Sequence, residues 1–367
     1  MEIFVPGRLC LFGEHSDWAG LYHRANDQIE PGMAVVTGID QGIYANAEHA
    51  ASFRFRTVRE NGEHGDWVEW PLSARFLKTI AESGGYYAYV AGTAAFMLEQ
   101  YNVSGLSIDI NKVTLPIKKG FSSSAAICVL VARAFNRLYN LRLSVRGEME
   151  AAYHGEIMTP SRCGRLDQAC AYGNKPVLIR FASENIDVET LEVGSDLHWV
   201  FADLKGEKDT RKILSDLNAC YPYARDSIAE NVQKALGPEN RRICEQVIEA
   251  MRMGDAARIG CLMDESQRIF DEWVAPACTS ELLSPILSRV LSDHKVRELA
   301  LGAKGVGSHG DGAVQMICKN AADKKQLRDY LNECGMNAYA FTIRKQHNIR
   351  QTSAKEVKLF NEAGGIR

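Results

Sequence analysis

Three hydroxyls stand in a row after a glycine and a lysine pair in Lys118-Lys119-Gly120-Phe121-Ser122-Ser123-Ser124-Ala125-Ala126, where a run of good helix formers begins. A helix N-terminus carries unpaired N–H groups and the positive end of the macrodipole, which together favour an anion by about 0.3–2 kcal/mol. Serines there can cap the helix, bind phosphate oxygens or ligate magnesium. A plain cap needs one hydroxyl, Ser122 or Ser123, and the two lysines tilt the reading toward an anion. The Walker pattern GxxxxGK[ST] occurs nowhere in the chain, so a P-loop is excluded. A GxGxxG match at Gly305, Gly307 and Gly310 follows a helical-looking region and runs into the strand-like Ala313-Val314-Gln315-Met316-Ile317. A dinucleotide fingerprint requires the reverse order, strand then helix, so a dinucleotide site is not expected.

Taken together, PGRLCLFGEHSDWAG at 6–20, KKGFSSSAA at 118–126 and GAKGVGSHGDGAV at 302–314 resemble the three signature motifs of the GHMP kinases, in their order along the chain. A fourth stretch, Cys163-Gly164-Arg165-Leu166-Asp167-Gln168, is similar to the CGIMDQ of galactokinases. The resemblance implies an α+β, two-domain GHMP kinase fold. Its N-terminal domain, residues 1–190, would be like ribosomal protein S5 domain 2, with a left-handed βαβ unit around the second motif. Its C-terminal domain, residues 191–367, would have a ferredoxin-like core and carry the third motif. The active site would lie in the cleft between them.

The resemblance also implies roles. Asp167 matches the family's catalytic base, and its alternative is a turn-forming or capping aspartate after Gly164. Arg8 matches a basic residue near the acceptor oxygen and the γ-phosphate, and its alternative is a surface arginine in a strand. Glu14, His15 and Asp17 match positions that bind sugar hydroxyls, a task carboxylates perform by accepting from paired hydroxyls. Lys118, Gly120, Phe121, Ser122, Ser123, Ser124 and Ala125 would hold the phosphates of ATP. Gly305, Gly307 and Gly310 would let the third loop approach the nucleotide closely. Ser124 and Glu156 match the Mg2+ ligands, hard oxygen donors that suit this ion; for Glu156 the alternative is a solvated helix face.

Departures from the family pattern matter equally. The third motif reads SHGDG where glycines are usual, so His309 and Asp311 bring side chains into a loop that normally has few. After Gly20 the segment Leu21 to Val35 is longer than the family's short link and lies beside the expected acceptor pocket. Trp18-Ala19-Gly20 replaces YNGG, which leaves room for an acceptor other than galactose. The expectation is an ATP-dependent kinase of a monosaccharide, with a sugar 1-kinase resembling galactokinase as its leading form. A mevalonate-type or polyol kinase and a non-catalytic sensor of sugar and ATP are the alternatives.

The elements that must position these groups read as ordinary mixed structure. IFVPGRLCLFG suggests strand, interruption, strand, and MAVVTGIDQGIYANAEHA further strands; GLSIDINKV alternates Leu106, Ile108 and Ile110 as a half-buried strand does. From Ser124 the pattern is that of a buried helix. Helical patterns fill the region from about Thr210 to His294, and clustered rather than alternating elements favour α+β. The 367 residues, 46% hydrophobic, exceed what one core usually fills. A net charge of -3, from 43 basic and 46 acidic residues, gives no broad field for nucleic acid or membrane. Ten cysteines without a CxxC pair read as reduced thiols of a cytoplasmic protein, of unspecified oligomeric state.

Overall fold

A computed structural model describes residues 1–58, 62–115, 122–161, 163–182 and 185–346. The first sheet contains β1 (Glu2–Phe12), β2 (Gly32–Ala50), β3 (Phe53–Thr57), β4 (Val68–Trp70), β5 (Gly105–Val113), β6 (Val177–Ala182) and β7 (Asn185–Thr190). Its hydrogen-bonded order is β4-β3-β5-β2-β6-β7, with β1 also on β2. The expected break inside IFVPGRLCLFG is instead one continuous strand. Pro6 cannot donate to the ladder, and the β1–β2 register slips between Pro6 and Arg8 and again between Cys10 and Phe12. The slip bends the strand where Arg8 enters the site.

The helices α1 (Ser16–Ala19), α2 (Ala74–Ser83), α3 (Ala88–Gln100), α4 (Ser123–Leu138) and α5 (Val145–Glu156) accompany this sheet. Along α4, Cys128 to Asn136 are all buried, as the apolar pattern requires. Both β5 and β6 run antiparallel to β2, hence parallel to each other, and α4 and α5 connect them. The second motif therefore lies within a β-α-β connection.

The second sheet is formed by β8 (Leu197–Asp203), β9 (Ala300–Gly305), β10 (Ala313–Cys318) and β11 (Asn337–Ile343), ordered β11-β8-β10-β9 and antiparallel throughout. This is the split β-α-β order of a ferredoxin-like core. Between β8 and β9 run α6 (Thr210–Asn218), α7 (Ser227–Lys234), α8 (Asn240–Met253), α9 (Ala256–Ile269), α10 (Thr279–Leu282), α11 (Pro285–Ser292) and α12 (His294–Leu299); α13 (Ala321–Glu333) joins β10 to β11. Asp209, Asp226, Asp255, Asp293 and Asn320 cap five of these helices through their side chains. The strand β9 corrects the expectation of helix before the GxGxxG match: six residues, four of them Ala or Gly, carry too little periodicity to reveal a strand. No long helix follows the glycines, so the stretch is an antiparallel hairpin.

One core cluster runs through both halves. Gln315 in β10 donates to the carbonyls of Cys10 and Leu11 at 2.9 and 3.2 Å, and Asn240 in α8 donates to Met33 O at 2.8 Å. The long segment after Gly20 forms a single 3-10 turn, Gly20–Arg24, and ties itself to the second half. Tyr22 donates to Asn218 Oδ1 at 3.0 Å, Asn26 to Pro222 O at 2.9 Å, and Tyr223 to Ala25 O at 2.7 Å. Among the described residues no helix is long and apolar enough to cross a membrane, and all ten cysteines are free thiols.

Arg133 of α4 connects the elements that frame the site. Its Nε donates to Glu148 Oε2 of α5 at 2.7 Å and its Nη2 to Ala171 O at 2.6 Å, while Asn136 donates to Glu148 Oε1 at 2.8 Å. Both charged side chains are under a tenth exposed, at 8% and 7%. Replacing Arg133 by leucine strands the Glu148 charge, so Arg133→Leu is expected to cost about 3–5 kcal/mol. Urea unfolding should show this as a lower midpoint at unchanged slope.

Candidate active site

The first motif leaves β1 through Gly13, whose φ of 92° is open to glycine and whose missing Cβ would fall 2.2 Å from Met33 O. Ser16 Oγ then donates to Gly13 O at 2.6 Å and Met33 O at 2.9 Å, fixing the loop onto the start of β2. His15 sits in the left-handed region at φ 69°. Trp18 Nε1 donates to His15 Nδ1 at 3.2 Å, which places the ring proton on Nε2. That Nε2 is buried without a partner. Burial, then the charges of Lys208 and Lys304, push the imidazole down to about 3, so His15 is a neutral donor.

The fourth stretch brings Asp167, first residue of a 3-10 turn over Asp167–Tyr172, against β1. Asp167 Oδ1 accepts from Arg8 Nη2 in an ion pair whose side chains are 25% and 11% exposed. Asp17 faces the same group: burial first, then the Asp167 charge, raise its carboxyl to about 6, against the pull of Arg8. Gly164 makes room for it, since a Cβ there would meet Asp17 Oδ2 at 1.8 Å. The sequence singled out Asp17 and Asp167 separately, and the structure joins them through Gly164 and Arg8.

Glu156, at the end of α5, has no exposed surface. Its Oε2 accepts from Gln168 Nε2 at 2.8 Å, and its Oε1 has no hydrogen-bond partner among the described residues. Burial and then the Asp167 charge raise this carboxyl to about 7, with Ser124 and Gln168 drawing it part way back. The solvated helix face that the sequence left open is therefore not what the structure has. An orphaned carboxylate oxygen beside a serine hydroxyl fits a hard divalent cation. No group of three or more His, Cys, Asp or Glu suited to a metal exists among the described residues. Any magnesium held here would complete its shell with phosphate and water.

Ser122 is the N-cap residue of α4 in left-handed geometry, φ 51°, and makes no side-chain cap bond; Ser123 and Ser124 open the helix, and Ala125 is buried behind them. The expected capping hydroxyl is thus uncommitted. Lys118, Gly120 and Phe121 lie outside the described residues.

In the third motif, Gly305 closes β9 against the His309 ring, and Gly310 lies under Glu281 O. Gly307, at φ 65°, opens onto the cleft. The two unusual side chains turn inward. His309 stacks on Phe270 with ring centroids 3.6 Å apart, and Asp311 Oδ1 accepts from Leu287 N at 2.9 Å, capping α11. Phe270, whose other neighbour is His15 at 6.3 Å, belongs to a π-helical turn over Phe270–Val274. Lys304, also in this motif, is fully buried and paired with Glu14 Oε1. Neither partner of the first motif was legible locally: Phe270 has no signal in its sequence neighbourhood, and Lys304 offers only a charge among small residues.

Arg8, Glu14, His15, Asp17, Asp167 and Gly307 all line one cleft of about 830 Å3. Its rim adds Trp18, Leu21, Arg24, Tyr153 and Arg165, the last held by Glu150 at 2.9 Å. The cleft can accept hydrogen bonds from a polyhydroxylated molecule and present one carboxylate–guanidinium pair to a reacting hydroxyl.

Asp17 makes this electrostatics measurable. A carboxyl raised in the folded protein binds its proton there more tightly than in the unfolded chain, so its burial is costless at low pH and unfavourable once it ionises. The stability of Asp17→Asn relative to the parent is therefore expected to rise as pH increases through about 6. Denaturation of both proteins between pH 4 and 8 checks the sign.

The GHMP kinases N terminal domain family matches residues 88–174. A galactokinase of Thermotoga neapolitana is 23% identical over 357 residues, covering 90% of this chain and 93% of that protein. Among solved structures, the Methanococcus jannaschii mevalonate kinase superposes with a TM-score of 0.69 at 18% identity, covering 95% of this chain and 98% of that one. The Lactococcus lactis galactokinase complexed with galactose gives 0.68 at 18% identity, covering 94% and 93%. The two sheets and these likenesses lead to one conclusion: the chain has the GHMP kinase fold, and its residues 88–174 match that family's N-terminal domain.

Proposed function

We propose that this protein is an ATP-dependent kinase that phosphorylates a hydroxyl of a monosaccharide, with a sugar 1-kinase as its best-fitting form. The observation that carries the reading is the Arg8–Asp167 pair at the floor of a cleft whose adjoining wall is Glu14, His15 and Asp17. Phosphoryl transfer requires an oriented acceptor hydroxyl, a group to take its proton and positive charge on the transferring phosphoryl. Asp167 takes the proton and Arg8 supplies charge. Glu14 and Asp17 accept from sugar hydroxyls, and neutral His15 donates through Nε2. Backbone N–H groups at Ser122 to Ala125, with Lys118, Gly120 and Phe121 before them and Gly305, Gly307 and Gly310 opposite, hold the phosphates of ATP. Ser124 and Glu156 are the ligands for Mg2+, which when bound neutralises phosphate charge. In this reading the chain divides near residue 190, the acceptor and phosphate motifs lying before it.

Likeness to the mevalonate kinase fold supports a second acceptor class, a mevalonate-type or polyol alcohol. The curated galactokinase relative and the pairing of Glu14 with Asp17 in one cleft favour a sugar. A panel of aldoses, uronic acids, heptoses and mevalonate, coupled to ADP release, decides between them: turnover with mevalonate and with no sugar would overturn the sugar reading. With the accepted substrate, Asp167→Asn should lower kcat by at least about 10²-fold while ATP affinity stays within about twofold. A variant that kept full turnover would exclude Asp167 as the base.

Gly164→Ala separates positioning from folding. The three atoms nearest the added methyl all belong to the Asp17 side chain and none to the backbone, so stability should change by less than about 1 kcal/mol. The carboxylate must swing away, and acceptor KM should rise about tenfold, the loss of one oriented hydrogen bond.

A further inference from the structure

The charge at Lys304 is placed where a small-residue strand meets the first motif. It lies in β9, between Ala303 and Gly305, with no exposed surface, and its Nζ donates to Glu14 Oε1 and, at 3.1 Å, to Gly305 O. Glu14 is 290 residues away in sequence and belongs to the other half of the molecule. The strand is held in turn by Gln267 of α9, whose Oε1 accepts from Gly305 N at 2.6 Å and whose Nε2 donates to Asp271 at 2.8 Å. The titratable groups that face Glu14 besides Lys304 are Arg8 and Cys10 of β1 and Cys244 of α8. Burial raises the Glu14 carboxyl, and Lys304 is the largest influence holding it ionised.

We propose that Lys304 is a positioning residue for the acceptor. It ties Glu14 Oε1, leaves Oε2 to accept from a substrate hydroxyl, and so couples the glycine-rich third loop to the acceptor loop. The proposal rests on the reading that Glu14 binds the acceptor. It follows from three facts together. The ammonium is too deeply buried to touch solvent, Glu14 is its only carboxylate partner among the described residues, and Glu14 lines the cleft while Lys304 does not. A lysine present only to fill space would not carry a charge at zero exposure, since burying it unpaired costs several kcal/mol.

A double-mutant cycle on the full chain tests this, using the sugar found in the acceptor panel. Lys304→Met is expected to raise acceptor KM at least tenfold with ATP KM within twofold. It should also introduce a new acidic limb in kcat/KM for the acceptor, because Glu14 without its partner binds a proton nearer neutral pH. Glu14→Gln should raise acceptor KM and abolish that limb. The double variant should match Glu14→Gln within twofold, since Lys304 acts through Glu14. If Lys304→Met does not fold, the double variant, which buries no charge at this place, still gives the comparison with Glu14→Gln. Additive losses, a Lys304→Met protein with parental acceptor KM, or a loss confined to ATP KM would each overturn the proposal. A Glu14→Gln protein with parental acceptor KM would instead overturn the acceptor role of Glu14 itself.

Discussion

Buried charge, and the need to neutralise it, is the constraint on which the site is built. Arg8, Glu14, Asp17 and Asp167 line one cleft, with Lys208, Lys304 and Glu156 buried outside its lining, and most of these side chains have little access to water. Each cation has a committed acceptor: Arg8 holds Asp167, Lys304 holds Glu14, and Lys208 donates to His309 O. The anions outnumber the carboxylate-paired cations, and burial first, then the Asp167 charge, raises the carboxyls of Asp17 and Glu156. Positive charge arriving at Glu156, and hydroxyl donors arriving at Asp17, would relieve that surplus. The free protein thus holds in its own electrostatics the complement of what it is built to receive.

The packing between the two halves serves the same end. A hinged kinase would be expected to have a wet, polar seam, yet one hydrophobic cluster crosses it and Gln315 is fully buried at the joint. Tyr22, stacked on Tyr221 with centroids 5.2 Å apart, fastens the segment after Gly20 to the second half. The cleft is therefore lined from both halves, from Arg8 to Ile186 and from Thr210 to Ser308.

The four motifs, the buried helix α4 and the strand at Gly105–Val113 were all legible in the sequence, because each rests on local signals: turn glycines, helix-start hydroxyls and strict periodicity. What stayed hidden was long-range. The pairing of Glu14 with Lys304 links positions with no shared pattern. The continuity of β1 through Pro6 depends on a partner strand that accommodates a register slip. His309 and Asp311 looked like intrusions into a nucleotide loop. Both are structural, one stacked on Phe270 and the other capping α11, and only the tertiary contacts reveal it. Glu156 was ambiguous for the opposite reason: helical spacing cannot tell a solvated face from one closed over by Gln168.

The indole of Trp18 ties these observations to something visible in solution. It is one of five tryptophans, it lines the cleft, and it is hydrogen-bonded to the ring nitrogen opposite the one His15 offers to a ligand. Trp199, by contrast, is sealed in the main core. A molecule that engages His15 polarises the imidazole and, through it, the indole N–H, so the protein carries an optical probe wired to the cleft. Emission from Trp18 would report occupancy without a label and without turnover, including for compounds that bind but are never phosphorylated.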